Sequence, residues 1–489
     1  MSVSSKTHKI LGTLLSALMA VWFFSGLVMV YHRFPRVTSN ETIRKKDNID
    51  LRHLPDINII TEELPGNASI KSLYVDCVLG QTFFHVKTDA GTFDIPADSL
   101  QSLPEINGNT IRMTAQRWCN APIVRIDTLY ELEQWIPFGK LREEFPIYKF
   151  HFADAEKQQL YISSKSGKVL QHTTSESRFW AWLGAIPHWV YFTRLRQDVE
   201  LWSNTVVFLS GLGCIMCIFG IYRGFRVIRY SGKNRSITPF KKKTYRWHHI
   251  YGLVFGITVF LFCFSGMMSL ARSMDWVVKP KLGFDPVKRL SENRPNLQSY
   301  SIDYRIAAGS LGKEIKQIEW NNFGSLPFYK IYTSDNIYYI DARDKEPKEL
   351  HLSEQDVLSE IKNVHNEKDI KISLMDEYDT YYLSRVKLTL PVWKVEIENC
   401  DNSCYYIKPG NAQIKYVDDS YRFNHWVYPA FHRLKLLFLV KNPLVWEIVM
   451  WVLMIGGFIV SITGVWLGIK VIVRKTKNYY PARYKKDKY

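Results

Sequence analysis

Residues 8–27 read HKILGTLLSALMAVWFFSGL, and residues 248–267 read HHIYGLVFGITVFLFCFSGM. At a constant offset of 240 they share a histidine (His8, His248), a glycine (Gly12, Gly252) and a Ser-Gly pair (Ser25-Gly26, Ser265-Gly266). A second pair of segments matches at an offset of 244. Arg178-Phe179, Trp182, His188, Trp202, Gly213, Gly220 and Gly224 meet Arg422-Phe423, Trp426, His432, Trp446, Gly457, Gly464 and Gly468. The chain is written twice, each half running apolar span, long polar region, histidine, apolar span. Such a duplication predicts a pseudo-twofold bundle in which the histidines meet in pairs.

Four apolar stretches, at about 10–31, 201–222, 249–271 and 444–469, approach the roughly 20 residues a helical membrane span needs. None contains Lys or Arg, and Glu447 is their one acidic residue. The first is too long for a cleavable signal and lacks a small-residue cleavage site after it, so it reads as a span. Lys6 and Lys9, nine Lys/Arg in residues 223–246, and eight Lys/Arg against Asp487 in the tail from Lys470 together carry +18, against +17 for the whole chain. Basic loops stay in the cytoplasm, which places both termini and the 223–246 loop inside and the two long polar regions outside. The basic excess is therefore a topogenic signal, and nucleic acid is not an expected partner.

The expected layout is a first span in 1–36, an outer domain in 37–177, an interfacial segment with the second span in 178–230, and a basic loop in 231–246. The third span in 247–272, an outer domain in 273–421, an interfacial segment with the fourth span in 422–472, and a basic tail in 473–489 complete it. The outer regions alternate in short strand-like runs such as Thr82–Lys87, Tyr148–Phe152 and Tyr338–Ile340, with a helical stretch at Ser353–Asn363. The repeat continues weakly there: Pro146-Ile147-Tyr148-Lys149 corresponds to Pro391-Val392-Trp393-Lys394, and Tyr161-Ile162 to Tyr406-Ile407. The fold class is thus a mainly α bundle of four membrane helices with two α+β extracytoplasmic domains. No phosphate loop, nucleophile elbow or HExxH motif is present.

Cys77, Cys119, Cys400 and Cys404 fall outside, where disulfides are permitted, and Cys400 and Cys404 are close enough in sequence to pair. Cys214-x-x-Cys217 resembles a redox or zinc motif only as a string. It lies mid-span with no second ligand pair, so packing is its expected role, as it is for the span glycines.

Ligating residues at membrane spans are costly and mark functional sites, and imidazole is a common axial ligand of haem iron. A span's two faces stand about 30 Å apart, so His8 and His188 cannot share one metal, whereas duplicated partners can. His8 with His248 would clamp one haem near the inside, and His188 with His432 a second near the outside. His249 competes with His248, adjacent helical positions pointing about 100° apart. His32 and His425 are further alternates, unmatched in the other half.

Several strings resemble the PepSY-associated transmembrane family of iron-regulated membrane proteins. Trp247-His248-His249-x-x-Gly252-Leu253 followed by Ser265-Gly266 looks like its third span. Ala185-Ile186-Pro187-His188-Trp189, then Leu195-Arg196 and Trp202, resembles the approach to its second. Tyr378-Asp379-x-Tyr381-Tyr382, Leu390-Pro391-Val392, Arg422 and His432 resemble the end of its second PepSY region. The resemblance covers nearly the whole chain. It implies two PepSY-like periplasmic domains and a bacterial inner-membrane reductase holding two b-type haems through His8, His188, His248 and His432. Electrons would pass to a periplasmic ferric chelate or siderophore in iron acquisition. The absence of a dinucleotide fingerprint or cluster motif makes the donor a separate cytoplasmic reductant or a membrane quinol. A haem-free PepSY protein that binds or regulates a periplasmic protein such as a protease is the alternative. A secondary transporter fits less well, since four spans without a mid-span acid offer little substrate pathway.

Overall fold

The structure is a computed structural model that describes residues 3–65, 69–98, 104–230, 238–270, 277–291, 295–367, 369–384 and 388–484. Parts of the expected basic loop (231–237) and basic tail (485–489) lie outside those residues.

Among the described residues, four helices are long and apolar enough to cross a membrane: Val3–Met29, Val199–Ile228, Lys243–Leu270 and Pro443–Thr476. Each extends beyond its apolar stretch, so that His8 and His248 lie within helices. The bundle core joins Leu15, Met19 and Phe23 of the first span to Cys214 and Cys217 of the second, Val259 and Cys263 of the third, and Met450 and Met454 of the fourth. Ile10, Leu14, Phe208, Ile215, Val254, Ile257 and Ile448 stay exposed on the outer faces, where a bilayer would solvate them.

Close approach comes from glycines. A Cβ on Gly457 would stand 2.3 Å from the Phe23 ring, and one on Gly456 2.4 Å from the Phe255 ring. Small residues let large neighbours reach the helix backbone, as expected of membrane helices held by packing. The lone span acid is also accounted for. The Tyr31 hydroxyl donates to Glu447 and accepts the Trp451 indole N–H at 2.8 Å.

The polar regions form three antiparallel sheets from strands β1 (Ile70–Val78), β2 (Gln81–Thr88), β3 (Thr92–Pro96), β4 (Ile123–Leu129), β5 (Ile147–Phe152), β6 (Gln159–Ser163), β7 (Val169–Thr173), β8 (Ile315–Phe323), β9 (Leu326–Thr333), β10 (Ile337–Asp341), β11 (Lys348–Glu349), β12 (Ile370–Met375), β13 (Val392–Ile397), β14 (Cys404–Ile407) and β15 (Ile414–Val417). Strands β4 to β7 and β12 to β15 make two four-stranded meanders. The third sheet draws on both polar regions, in the order β11-β10-β9-β8-β1-β2-β3. Its central pair, β1 with β8, sets Leu73 opposite Trp320 and Val75 opposite Ile318. Pairing these two strands removes an exposed edge from each polar region. Strands β1, β2 and β3 begin 245 residues before β8, β9 and β10, respectively.

The core of the seven-stranded sheet includes Phe84, Tyr304, Trp320 and Tyr329. The helix expected at Ser353–Asn363 runs Glu354–Val364, with Ser353 and Asp356 in a reciprocal capping box. All seven cysteines are free. Cys404 points into the core at the head of β14 while Cys400 is exposed in the preceding turn, so proximity in sequence does not pair them.

A candidate electron-transfer site

The four repeated histidines meet as two pairs. The His8 and His248 rings stand 6.2 Å apart, centre to centre, and those of His188 and His432 6.1 Å apart. All four are half-buried. The first pair lies between the first and third spans. The second is carried by short elements outside the spans. His188 belongs to the helix Ala185–Trp189, and His432 follows a π-helical turn at Trp426–Ala430 that contains Pro429. Pro429 lacks the N–H that would continue an α-helical ladder.

Each ring is seated in the same way. His8 Nδ1 bonds the Met216 carbonyl at 2.9 Å, and His188 Nδ1 the Trp22 carbonyl at 3.1 Å. His248 and His432 lie beside the backbones of Val460 and Phe262. In every case the contacted residue stands four before a glycine: Gly220, Gly26, Gly464 and Gly266. The ring lies against that glycine. The Cβ absent from Gly220 would stand 2.6 Å from His8 Cε1, that of Gly26 3.0 Å from His188, that of Gly266 3.4 Å from His432, and that of Gly464 3.7 Å from His248. A helical carbonyl keeps a second lone pair, and a missing side chain one turn on gives an imidazole access to it.

These contacts fix the tautomer. A carbonyl only accepts, so Nδ1 of His8 and of His188 carries the proton. Ser265 Oγ, 3.1 Å from His432 Nδ1, already donates to the Leu261 carbonyl at 2.6 Å. Thr463 Oγ1, 2.9 Å from His248 Nδ1, likewise donates to its own helix, to Val460 at 2.8 Å. Both hydroxyls have spent their single proton, so these rings too donate from Nδ1. Among the described residues, none hydrogen-bonds any of the four Nε2 atoms. Nδ1–H held by the protein with Nε2 left as a lone pair is the metal-ligating form of histidine.

A metal about 2 Å from each of two facing imidazole nitrogens sets the ring centres about 6 Å apart, which fits both pairs. Among the described residues no group of three or more His, Cys, Asp or Glu is placed to hold a metal ion. Two imidazoles are too few for a mononuclear zinc or iron site, but they suffice for a macrocycle that brings four donors of its own. The residues present fit a haem at each pair.

The alternates lie outside the two pairs, although His249 Nδ1 and both ring nitrogens of His425 are buried with no hydrogen-bond partner among the described residues. His249 is buried and turned to the second span, its Nε2 bonded to the Gly224 carbonyl at 3.1 Å and its ring edge-on to Phe240. His32 stacks flat on Trp180 at 4.1 Å. His425 is enclosed by Tyr381, Tyr421 and Trp426. Cys214 and Cys217 are packed in the bundle core.

Sequence reasoning gave the glycines a packing role only. It missed that Gly26, Gly220, Gly266 and Gly464 seat the histidines, although their membership in the repeat was a usable signal. It also missed the Arg196 guanidinium, packed over the rings of Phe138, Tyr191 and Trp202, whose Nε and Nη1 are buried without partners among the described residues. Trp202 in turn donates to the Trp189 carbonyl beside His188 at 2.7 Å. A cation so placed suits a carboxylate or phosphate. Comparisons with protein-family models, curated proteins and solved structures give no match.

Proposed function

We propose that this protein is an inner-membrane reductase that holds one b-type haem on His8 and His248 and a second on His188 and His432, and passes electrons outward to a periplasmic ferric chelate. The observation that carries the reading is the pairing of four imidazoles at 6.1–6.2 Å, each with Nδ1–H engaged by a neighbouring helix. Bound there, haem would be held by the two imidazoles of each pair and would supply one-electron chemistry suited to electron transfer.

The chain's own residues do the positioning. The carbonyls of Met216 and Trp22 and the hydroxyls of Thr463 and Ser265 hold the rings, and the glycines let them approach. Along the first span, His8 and the Trp22 carbonyl that holds His188 are fourteen residues apart, a rise of about 21 Å. The two pairs therefore serve opposite sides of the bilayer. The basic segments orient the inner pair to the cytoplasm and the sheets to the periplasm. One electron per iron leaves the donor, a cytoplasmic reductant or a quinol, and converts Fe(III) to Fe(II) outside.

Internal duplication belongs to this reading. The 245-residue recurrence of strands and the self-complementary β1–β8 register support it, since Leu73 opposite Trp320 mirrors Val75 opposite Ile318. The polar regions then read as two PepSY-like domains joined through one sheet.

The test is haem per protein in single variants. His188→Ala and His432→Ala should each remove the outer haem and spare the inner, and His8→Ala and His248→Ala the reverse, with reduction of an external ferric chelate lost in all four. A parent protein without haem after expression with ample haem supply refutes the reading, and the haem-free, protein-binding alternative replaces it.

A further inference from the structure

A pocket of about 190 Å³ opens in the second polar region between three pieces of chain. Tyr382 and Ser384 come from the connection between β12 and β13, Tyr406, Lys408 and Lys415 from the β14–β15 hairpin, and Lys435 from the segment leading into the fourth span. The three lysines are half-buried. None of them has an ion-pair partner among the described residues, in contrast to Lys394, which meets Glu396 at 3.0 Å.

Lys415 donates to the Tyr381 carbonyl and lies over the rings of Tyr382 and Tyr421 at 5.7 and 5.4 Å. The carboxylate acting on it, Asp379, is already engaged. It accepts from the Tyr406 hydroxyl at 2.6 Å and from the backbone N–H groups of Tyr381 and Tyr382, and it faces Lys394 at 3.7 Å. Burial, then Lys435, pushes Lys415 down to about 8, and burial also lowers Lys408 and Lys435. Cations gathered out of water without counter-ions are costly, and an anion entering among them offsets that cost.

The pocket shares a segment of chain with the outer histidine pair. Lys435 follows His432 by three residues, so their Cα atoms are at most about 11 Å apart, and the Tyr428 ring of the same segment is 5.4 Å from the His432 ring. The cavity is smaller than the roughly 300–1,000 Å³ that encloses a whole ligand. It therefore suits one anionic arm, with the rest of the molecule at its mouth.

We infer that Lys408, Lys415 and Lys435 form an anion site that grips a carboxylate arm of a polycarboxylate ferric chelate and presents its iron to the outer histidine pair. Anion binding stands on the pocket alone, and the role in iron reduction rests on the reductase reading.

The experiment titrates the purified full chain, in non-ionic detergent, with redox-inert gallium(III) citrate by calorimetry. Saturable binding is expected that weakens with added salt and at least about tenfold in each of Lys408→Gln, Lys415→Gln and Lys435→Gln. A neutral gallium trihydroxamate should show no dependence on these lysines. The same titration on a His188→Ala, His432→Ala double variant separates the two ideas. Retained citrate binding there supports the pocket even if the parent proves haem-free. No saturable binding, or equal affinity in the folded triple lysine variant, overturns it. Loss of citrate binding in phosphatidylglycerol nanodiscs but not in neutral ones identifies a lipid headgroup as the occupant and overturns the chelate assignment.

Discussion

Gly220→Ala adds one methyl group where the His8 ring lies on the second span. The new Cβ would stand 2.6 Å from Cε1 and 2.9 Å from Nδ1 of His8. Ordinary carbon contacts begin near 3.5 Å, so the ring must retreat by about 1 Å. That retreat stretches its 2.9 Å bond to the Met216 carbonyl beyond hydrogen-bond range and frees the ring to turn. Loss of such an orienting contact typically costs about 10–100-fold in metal affinity. Helix propensity works the other way, alanine being better than glycine by about 1 kcal/mol, so a loss of haem cannot be laid to a weakened helix. Gly266→Ala is the matched control. Its Cβ would stand 3.4 Å from His432 Cε1, which a shift of a few tenths of an ångström relieves. Haemin titration of both variants, reduced and read by absorbance, should show the inner haem weakened at least about tenfold in Gly220→Ala and the outer one nearly unchanged in Gly266→Ala. Full inner-haem affinity in a folded Gly220→Ala protein would refute the claim that this glycine seats the ligand.

Three further outcomes are expected. Reporters fused after Lys243 and after Tyr489 should behave as cytoplasmic, and reporters near Asn107 or Asn336 as external; an external reporter after Lys243 overturns the orientation. Replacing both Cys214 and Cys217 by Ala should leave the reduced spectrum and chelate reduction close to the parent, because these thiols pack in the core; loss of activity in the folded variant gives them a redox role. In the seven-stranded sheet, burial alone would lower the pKa of His85, but bonds to Asp76 at 3.1 Å and Asp94 at 2.5 Å outweigh it and hold the imidazole above its ordinary value. A group with a raised folded pKa stabilises fully below its unfolded value, and that contribution is lost as pH rises through the folded one. Hydrogen exchange, corrected for intrinsic rates, should therefore show β1 and β2 better protected at about pH 6 than at about pH 8. His85→Gln should abolish the difference, and an equal slope in that variant rules His85 out.

The four spans were legible because a bilayer demands long apolar runs, and the repeated histidines because each recurs at one of two fixed offsets. Strand runs such as Thr82–Lys87 were visible as alternation and fall within β2. The shared sheet was not, since pairing Leu73 with Trp320 joins segments far apart in sequence and leaves no local mark. The choice between His248 and His249 was likewise beyond sequence reading, because it depends on which partner each ring meets: Thr463 for one, the Gly224 carbonyl for the other. Nothing in the sequence sets Lys408, Lys415 and Lys435 apart, since only the folded hairpin and the approach to the fourth span bring them to one cavity.

Each histidine pair joins one residue from the first half of the chain to one from the second, so the inner pair waits until translation has passed His248 and the outer until it has passed His432. A nascent chain with two spans inserted presents two single imidazoles, each already held by its own half: His8 by Met216, His188 by Trp22. Under the proposed haem reading, loading of either site would therefore report docking of the two halves, and loading of the outer site would come only after His432 is made. Under the same reading, a chain whose halves fail to dock would fail that checkpoint at both sites together, and would be told from the finished one by its lack of colour.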